Sequence, residues 1–397
     1  MMNKFPFKIN ALESMPLFQL AFRPFFLSGA LFAIAAIFIW MSVLNGWIML
    51  DYYSSSYWWH SHEMLFGFVA SIIAGFLLTA VQTWTGQPSI KGAALFRLWL
   101  IWFIARILLT IDSGFNKYII AIVDLSFFPL VAFYLGRLTI RVKQWRNLIF
   151  VPLLLLMTIV NAVMHYGAFN EDYSLITHSS YSMIMIVVMV ITIISGRVIP
   201  MFTANGTKTH KVENIKFIEV WTILSTIAVI LIYTSSLKLS PLFYSFWLLL
   251  SAICHLIRFV RWRFWITIKY PLLWSLHLSY FCIPLGFMLM SISYVSKMIP
   301  MSTAIHCLTI GAISSMILSM ISRVSLGHTG RKLIANKIMS ISFILIFFSF
   351  LVRVFGLSIS DNYFSIIYIS AFLWLIAFSL FLVTFLPVLC SSSISKQ

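Results

Sequence analysis

The chain of 397 residues is 61% hydrophobic and only 9% charged, against roughly 25% charged residues in a soluble globular protein, and its mean hydropathy is +0.99. So few charges cannot cover a water-facing surface, which excludes a soluble protein and requires a bilayer. The net charge of +17 does not call for a nucleic-acid partner, because the placement of the basic residues accounts for it.

About twelve apolar stretches are long enough to span. In chain order they lie near 24–44, 63–82, 92–111, 117–138, 147–167, 174–196, 216–236, 241–260, 271–294, 299–321, 335–357 and 363–387. A spanning helix needs about 20 mostly apolar residues, and in lipid only helices or closed barrels satisfy the backbone. The predicted fold is therefore all-α: a polytopic integral membrane helical bundle over 1–397, with no gap long enough for a soluble domain. With gaps counted alternately, 22 of the 27 Lys and Arg residues fall on one side, together with both ends of the chain. Asp51, Asp112, Glu171, Asp172 and Asp361 fall on the other. This positive-inside asymmetry puts both termini in the cytoplasm. The first apolar run is too long for a signal core and lacks a small-residue exit, so it is expected to stay as an anchor.

The polar residues inside so apolar a chain are functional candidates by default. The second span opens with "YWWHSHEMLFGF" (57–68), an aromatic belt followed by His60, His62 and Glu63. In a helix His60 and His62 stand 200° apart and cannot share one metal, whereas His60 and Glu63 share a face. If the helix begins only after His62, an extended H-x-H turns both rings to one side and one metal could take both. Glu63 would then orient a ring or handle protons. An amphipathic helix start with a tryptophan anchor explains the same residues without a metal.

Arg106, near the outer end of the third span, and Asp124, near the outer end of the fourth, lie at matching depth and are expected to form an ion pair. Either the pair clamps neighbouring helices or Arg106 faces a bound anion. His60, His62, His165, His178 and His306 form an outer layer of histidines, while His255 and His277 lie near the cytoplasmic ends of the eighth and ninth spans. Neutral imidazole is the commonest protein ligand for iron and copper, but a single histidine near a helix end is more often interfacial or hydrogen-bonded.

In the tenth span, "MSTAIHCLTIGAISSMILSM" (301–320), His306 precedes a run of small residues that permit close helix approach. Met316 and Met320 there read as packing rather than as soft copper ligands. "FRPFF" (22–26), "SGRVIPMFTANG" (195–206) and "SRVSLGHTGR" (322–331) each couple arginine with proline or glycine at a span boundary. The turn around Gly327, His328, Thr329 and Gly330 could hold an anion or a propionate. The four cysteines are scattered and form no C-x-x-C-H, so covalent haem attachment is not indicated. No internal repeat is evident by inspection.

Together these pieces resemble the NnrS family of bacterial inner-membrane proteins. The resemblance rests on "FRPFFLSGALFA" (22–33), "WHSHEMLFGFVASIIAGFLLTAVQTWTG" (59–86), "GRVIPMFTANG" (196–206), "PLLWSLHLSYFCIPLGF" (271–287) and "HCLTIGAISSMILSMISRVSLGHTGR" (306–331). It implies a multispan protein with noncovalent haem b and copper, linked to nitric oxide metabolism or resistance to nitrosative stress. Carried over by position, the family's polar signature falls on His60, His62 and Glu63, on His277, on His306, and on Arg323, His328 and Arg331. Gln82 departs from the expected proline or apolar residue.

On this reading His60, His62, His277 and His306 are the expected metal ligands, and Glu63 is the expected proton-handling group. Arg106, Arg323, His328 and Arg331 are the expected cofactor contacts. The expected partners are the lipid bilayer, nitric oxide or a similar small lipophilic ligand, and a membrane electron donor. Two other classes compete. One is a 12-helix secondary transporter, with Pro129, Pro152 and Pro284 breaking helices around a midplane site. The other is a haem or metal sensor or assembly factor, which binds without turnover.

Overall fold

The structure is a computed structural model and describes residues 9–235, 237, 239–296, 298–359 and 361–394. Among these residues every regular element is helical. Twelve helices are long and apolar enough to cross a membrane, starting at Phe22–Leu44 and ending at Tyr363–Cys390. The protein is a multi-pass membrane protein. Nine of the twelve spans follow the hydropathy pattern to within about three residues at each end. The second, sixth and tenth are longer than their apolar stretches: Ser56–Thr85, Tyr173–Thr207 and Met301–Gly327. Those same three are 83%, 78% and 83% buried by protein, and no other span exceeds 56%. Helix that faces protein instead of lipid can carry polar residues, so hydropathy alone cuts it short.

Local chemistry sets many of the boundaries. The side chains of Ser55, Asn116, Ser240 and Asn336 cap the helices that follow them, taking up N–H groups with no partner inside the helix. Gly86 caps the second span at φ +65°, and Gly330, in the turn after the tenth, has φ +76°, a conformation that glycine adopts without penalty. Pro129 and Pro152 act three residues downstream of a break. The fourth span is interrupted at Ser126, between Lys117–Leu125 and Phe127–Arg141. The fifth is interrupted at Ile149, between Trp145–Leu148 and Phe150–Phe169. In each, the ring excludes the carbonyl four residues back and removes one donor. Pro284, by contrast, lies inside the unbroken helix Pro271–Val295.

The chain divides into two compact units. Unit 1 comprises residues 1–176, 325–331 and 382–397; unit 2 comprises 177–324 and 332–381. In unit 1 the second span packs against the first and the fourth, and the fourth against the fifth. In unit 2 the seventh, eighth and ninth spans pack in sequence, and the tenth lies against the ninth and eleventh. Each unit contains a π-helical stretch within its most buried span, Glu63–Val69 in unit 1 and Cys307–Ser314 in unit 2. Such widened turns are rare and are frequent at functional sites.

Glycine lets neighbours close on both stretches. A Cβ on Gly67 would lie 2.6 Å from Phe32 Cε1 and 3.0 Å from Arg106 Nη1, and one on Gly311 would lie 2.7 Å from Phe350 and 2.9 Å from Cys282. Gly67→Ala is therefore expected to destabilise the protein by about 1–3 kcal/mol through overpacking. A lowered thermal unfolding midpoint in detergent would register it; an unchanged midpoint would show that Phe32 and Arg106 move aside freely.

Candidate functional site

The Ser55 cap starts a helix at Ser56, so "SYWWHSH" is helical throughout. His60 and His62 consequently point to opposite faces, and the extended H-x-H arrangement that would let both bind one metal does not form. His60 stacks on Trp40 with ring centroids 4.4 Å apart. His62 is fully buried and lies between Trp58, at 4.4 Å, and Phe66, at 5.1 Å.

Around His62 lies a buried polar cluster drawn from the second, third, fourth and fifth spans of unit 1. Arg106 donates from Nη1 to Glu63 Oε1 at 2.6 Å and from Nη2 to Asp124 Oδ1. The ion pair expected between Arg106 and Asp124 is thus present, and Glu63 joins it from the second span. Asp124 is the last but one residue before the interruption at Ser126, so the proline break sets where its carboxylate emerges. Asn161 donates to Asp124 Oδ2 at 2.6 Å and turns its own oxygen toward His62 Nε2, 3.0 Å away. His165 Nε2 stands 3.2 Å from Asp124 Oδ2, and its Nδ1 is 2.6 Å from the Tyr53 hydroxyl. Burial raises the Tyr53 hydroxyl well above its usual titration range, so it stays a neutral group that can donate or accept.

The hydrogen bonds carry a charge balance. Arg106 with Glu63 and Asp124 sums to one negative charge, which is costly where water is excluded. His62 faces an acceptor at each ring nitrogen, Glu63 Oε1 at Nδ1 and Asn161 Oδ1 at Nε2. Both acceptors are satisfied if both nitrogens carry protons, and that imidazolium brings the cluster to neutrality. His165 is satisfied as neutral imidazole, with Tyr53 donating to Nδ1 and Nε2–H donating to Asp124. One acceptor is left over: Glu63 Oε2 is buried with no hydrogen-bond partner.

The same atoms form a metal-competent set. His62, Asp124 and His165 each offer one ligand atom, all within 4.8 Å of one another and all buried. Two imidazoles and a carboxylate suit copper, iron or zinc. Glu63 behind His62 and Tyr53 behind His165 supply the outer hydrogen bonds that fix ring orientation in metal centres. A monovalent cation that displaced the His62 Nε2 proton would leave the cluster neutral.

Across residues 16–393 the sequence matches the profile of the NnrS protein family. The chain belongs to the NnrS family. No curated protein matches it.

The remaining expected site residues of this NnrS chain do not gather at that cluster. In unit 2 His277 is buried, with Nε2 2.8 Å from the Thr203 hydroxyl and Nδ1 without a partner. Arg323 lies 3.8 Å over the ring of Phe202, the residue before Thr203. His306 hydrogen-bonds from Nδ1 to the Ser302 carbonyl at 2.6 Å, which places its lone pair on Nε2. Back in unit 1, the His328 ring lies 5.9 Å from Phe22, and Arg331 donates to Ser391 Oγ at 3.4 Å while its Nη1 has no partner. Arg23 of "FRPFF" turns its two terminal nitrogens to the chain's C-terminal stretch, donating to the Leu389 and Ser391 carbonyls and to Ser393 Oγ.

His255 lies apart from that cluster, with Tyr280 and Thr226 at its two nitrogens at 2.8 and 3.0 Å. It belongs to a second buried network in which Arg258 pairs with Glu219 at 2.5 Å and donates to Tyr280 and to the Thr192 carbonyl. A Cβ at Gly196 would collide with that guanidinium, which explains the glycine of "GRVIP".

Sequence reasoning found Arg106, Asp124, His62 and Glu63 but did not select Asn161, His165 or Tyr53. His165 carried a weak signal as one of the five outer-layer histidines; Asn161 and Tyr53 carried none.

Removing Arg106 strands two buried carboxylates. Arg106→Leu is expected to cost about 3–5 kcal/mol. Adding Glu63→Gln and Asp124→Asn should recover a large part of that loss, since the remaining partners become neutral. Thermal unfolding of the single and triple variants checks this; equal losses in both would mean that the cluster contributes by packing alone.

Proposed function

We propose that the protein is a haem- and copper-binding membrane protein that handles nitric oxide or a related small lipophilic molecule. The observation that carries this reading is the convergence of His62, Asp124 and His165 within 4.8 Å in a fully buried, hydrogen-bonded setting. A purely structural clamp would need only Arg106 and the two acids. Two imidazoles directed at the same carboxylate oxygen add donor atoms that copper favours.

Copper fits these residues, with His62, His165 and Asp124 as its holders and Glu63 as the group that keeps the His62 ring in register. Noncovalent haem b fits unit 2, where His277 has a buried nitrogen without a partner and Arg323 is a cation suited to a propionate. When bound, these groups supply redox-active metal able to ligate nitric oxide. The chain's own residues do the rest. Arg106 holds the two carboxylates apart from solvent, Trp58 and Phe66 sandwich His62, and Glu63 Oε2 offers a place for a proton.

The charge asymmetry supports an orientation with both termini cytoplasmic and the His62 cluster toward the outer face, and the family resemblance supports a bacterial inner membrane. Nitric oxide is lipophilic and reaches such a cluster through the bilayer, which suits a protein with no soluble domain between its spans. A membrane electron donor would support turnover.

Metal analysis and oxidised and reduced optical spectra of the purified protein test the assignment. His62→Ala and His165→Ala are expected to lose copper and keep haem, while His277→Ala loses the Soret band. A colourless, metal-free protein from cells amply supplied with haem and copper would overturn this reading and favour transport. Bound haem that shifts with nitric oxide but never turns over would identify a sensor.

A further inference from the structure

The two π-helical stretches expose an internal repeat that inspection of the sequence alone does not find. At a constant offset of 244 positions, His62 corresponds to His306, Gly67 to Gly311, Ser71 to Ser315, Ile73 to Ile317, Thr85 to Thr329 and Gly86 to Gly330. Both copies turn π-helical at the residue after the histidine, and both are followed by a glycine with positive φ, Gly86 directly at the helix end and Gly330 three residues beyond Gly327. Their surroundings correspond as well. Gly67 abuts Arg106 of the third span, and Gly311 abuts Phe350 of the eleventh, which is residue 106 displaced by the same 244. One turn beyond Phe350, the eleventh span carries its own buried arginine, Arg353. Both units therefore set an arginine beside a histidine-led π-helix.

The acids do not repeat. Cys307 stands where unit 1 has Glu63, and among the described residues no carboxylate pairs with Arg353. Its side chain is 6% exposed, Nη2 donates weakly to Ser302 Oγ at 3.4 Å, and Nη1 is buried with no partner. Tyr363 also faces it, with its ring 5.7 Å away and its hydroxyl as a neutral hydrogen-bond partner. Arg353 lies in the last turn of its helix, where the macrodipole offers about half a negative charge. That charge supplies no acceptor for Nη1. Ser302 also bears the carbonyl that receives His306 Nδ1, so the arginine, the serine and the histidine meet on one turn of the tenth span.

We infer that unit 2 holds an anion site at Arg353 and Ser302, beside His306, that takes a small oxyanion or carboxylate in place of the acids that unit 1 carries internally. A guanidinium presents paired N–H donors matched to two oxygens of such a group. Within a membrane protein a buried cation without an anion is expensive. The occupant is either a free oxyanion or a carboxylate of a bound porphyrin; both satisfy the same donors. This inference is independent of the copper assignment, which concerns unit 1.

The test is calorimetric titration of sodium nitrite, and separately of acetate, into the full-length protein in chloride-free nanodiscs, prepared with and without haem supply. Saturable binding to the native protein is expected, with affinity at least about tenfold lower in Arg353→Gln, a loss of about 1.4 kcal/mol or more. Cys307→Glu restores the carboxylate of unit 1 and should abolish the titration while the protein keeps its thermal stability. If a porphyrin carboxylate is the occupant, nitrite will titrate only the haem-free protein, and Arg353→Gln will lose haem on purification. Absence of nitrite and acetate binding to the haem-free native protein, or binding unchanged in Arg353→Gln, would overturn the inference.

Discussion

A guanidinium buried among membrane helices must be neutralised by protein, and the Arg106 cluster follows from that constraint. Coulomb attraction strengthens as water is excluded, and so does the penalty for any charge left alone. Arg106 therefore holds Glu63 of the second span and Asp124 of the fourth in fixed positions. Their remaining oxygens then dictate what surrounds them. Asp124 Oδ2 draws in Asn161, His165 and His62, while Glu63 Oε1 sets the tilt of the His62 ring. Four spans are tied together by one cation and its consequences. The neutrality of the whole set requires one positive charge more or one negative charge fewer, met by a proton on His62 or on Glu63, or by a monovalent cation at His62.

Several departures from regular helix serve that arrangement. Pro129 interrupts the fourth span at Ser126, two residues after Asp124. The π-helical stretch from Glu63 widens the second span where Arg106 must approach, and Gly67 removes the side chain that would block it. Trp102 of the third span donates to the Gly67 carbonyl at 2.9 Å, adding a bond from a neighbouring span to the one that Ala70 N–H makes within the helix. Each distortion costs local helix stability, and each is compensated by a contact to a neighbouring span.

The two units apply one scaffold to different chemistry. A histidine followed by a π-helical turn, a close-packed glycine and a later glycine with positive φ recur 244 residues apart. In the first copy the arginine finds its counter-charges within the protein. In the second Glu63 has become Cys307, whose thiol lies against the Cys282 carbonyl at 3.5 Å, and Arg353 lacks a carboxylate. The two stretches thus differ in the charge of the site far more than in the backbone around it.

Much of the architecture was legible in the sequence, because membrane insertion is decided by local properties. Twelve apolar runs and the basic asymmetry of the gaps need only composition within a window, and nine of the twelve spans follow it closely at both ends. Matching depths also sufficed to pair Arg106 with Asp124, since rise per residue is constant along a helix. What the sequence could not decide was which histidines meet. His60 and His62 are two residues apart, yet the Ser55 cap makes the segment helical and sends them to opposite faces. His165 is more than a hundred residues from His62, yet its ring lies 5.0 Å away. Neither Tyr53 nor Asn161 differs, in sequence, from any other interfacial tyrosine or helical asparagine. Convergence of that kind depends on helix rotation and packing between segments, which tertiary contacts alone determine.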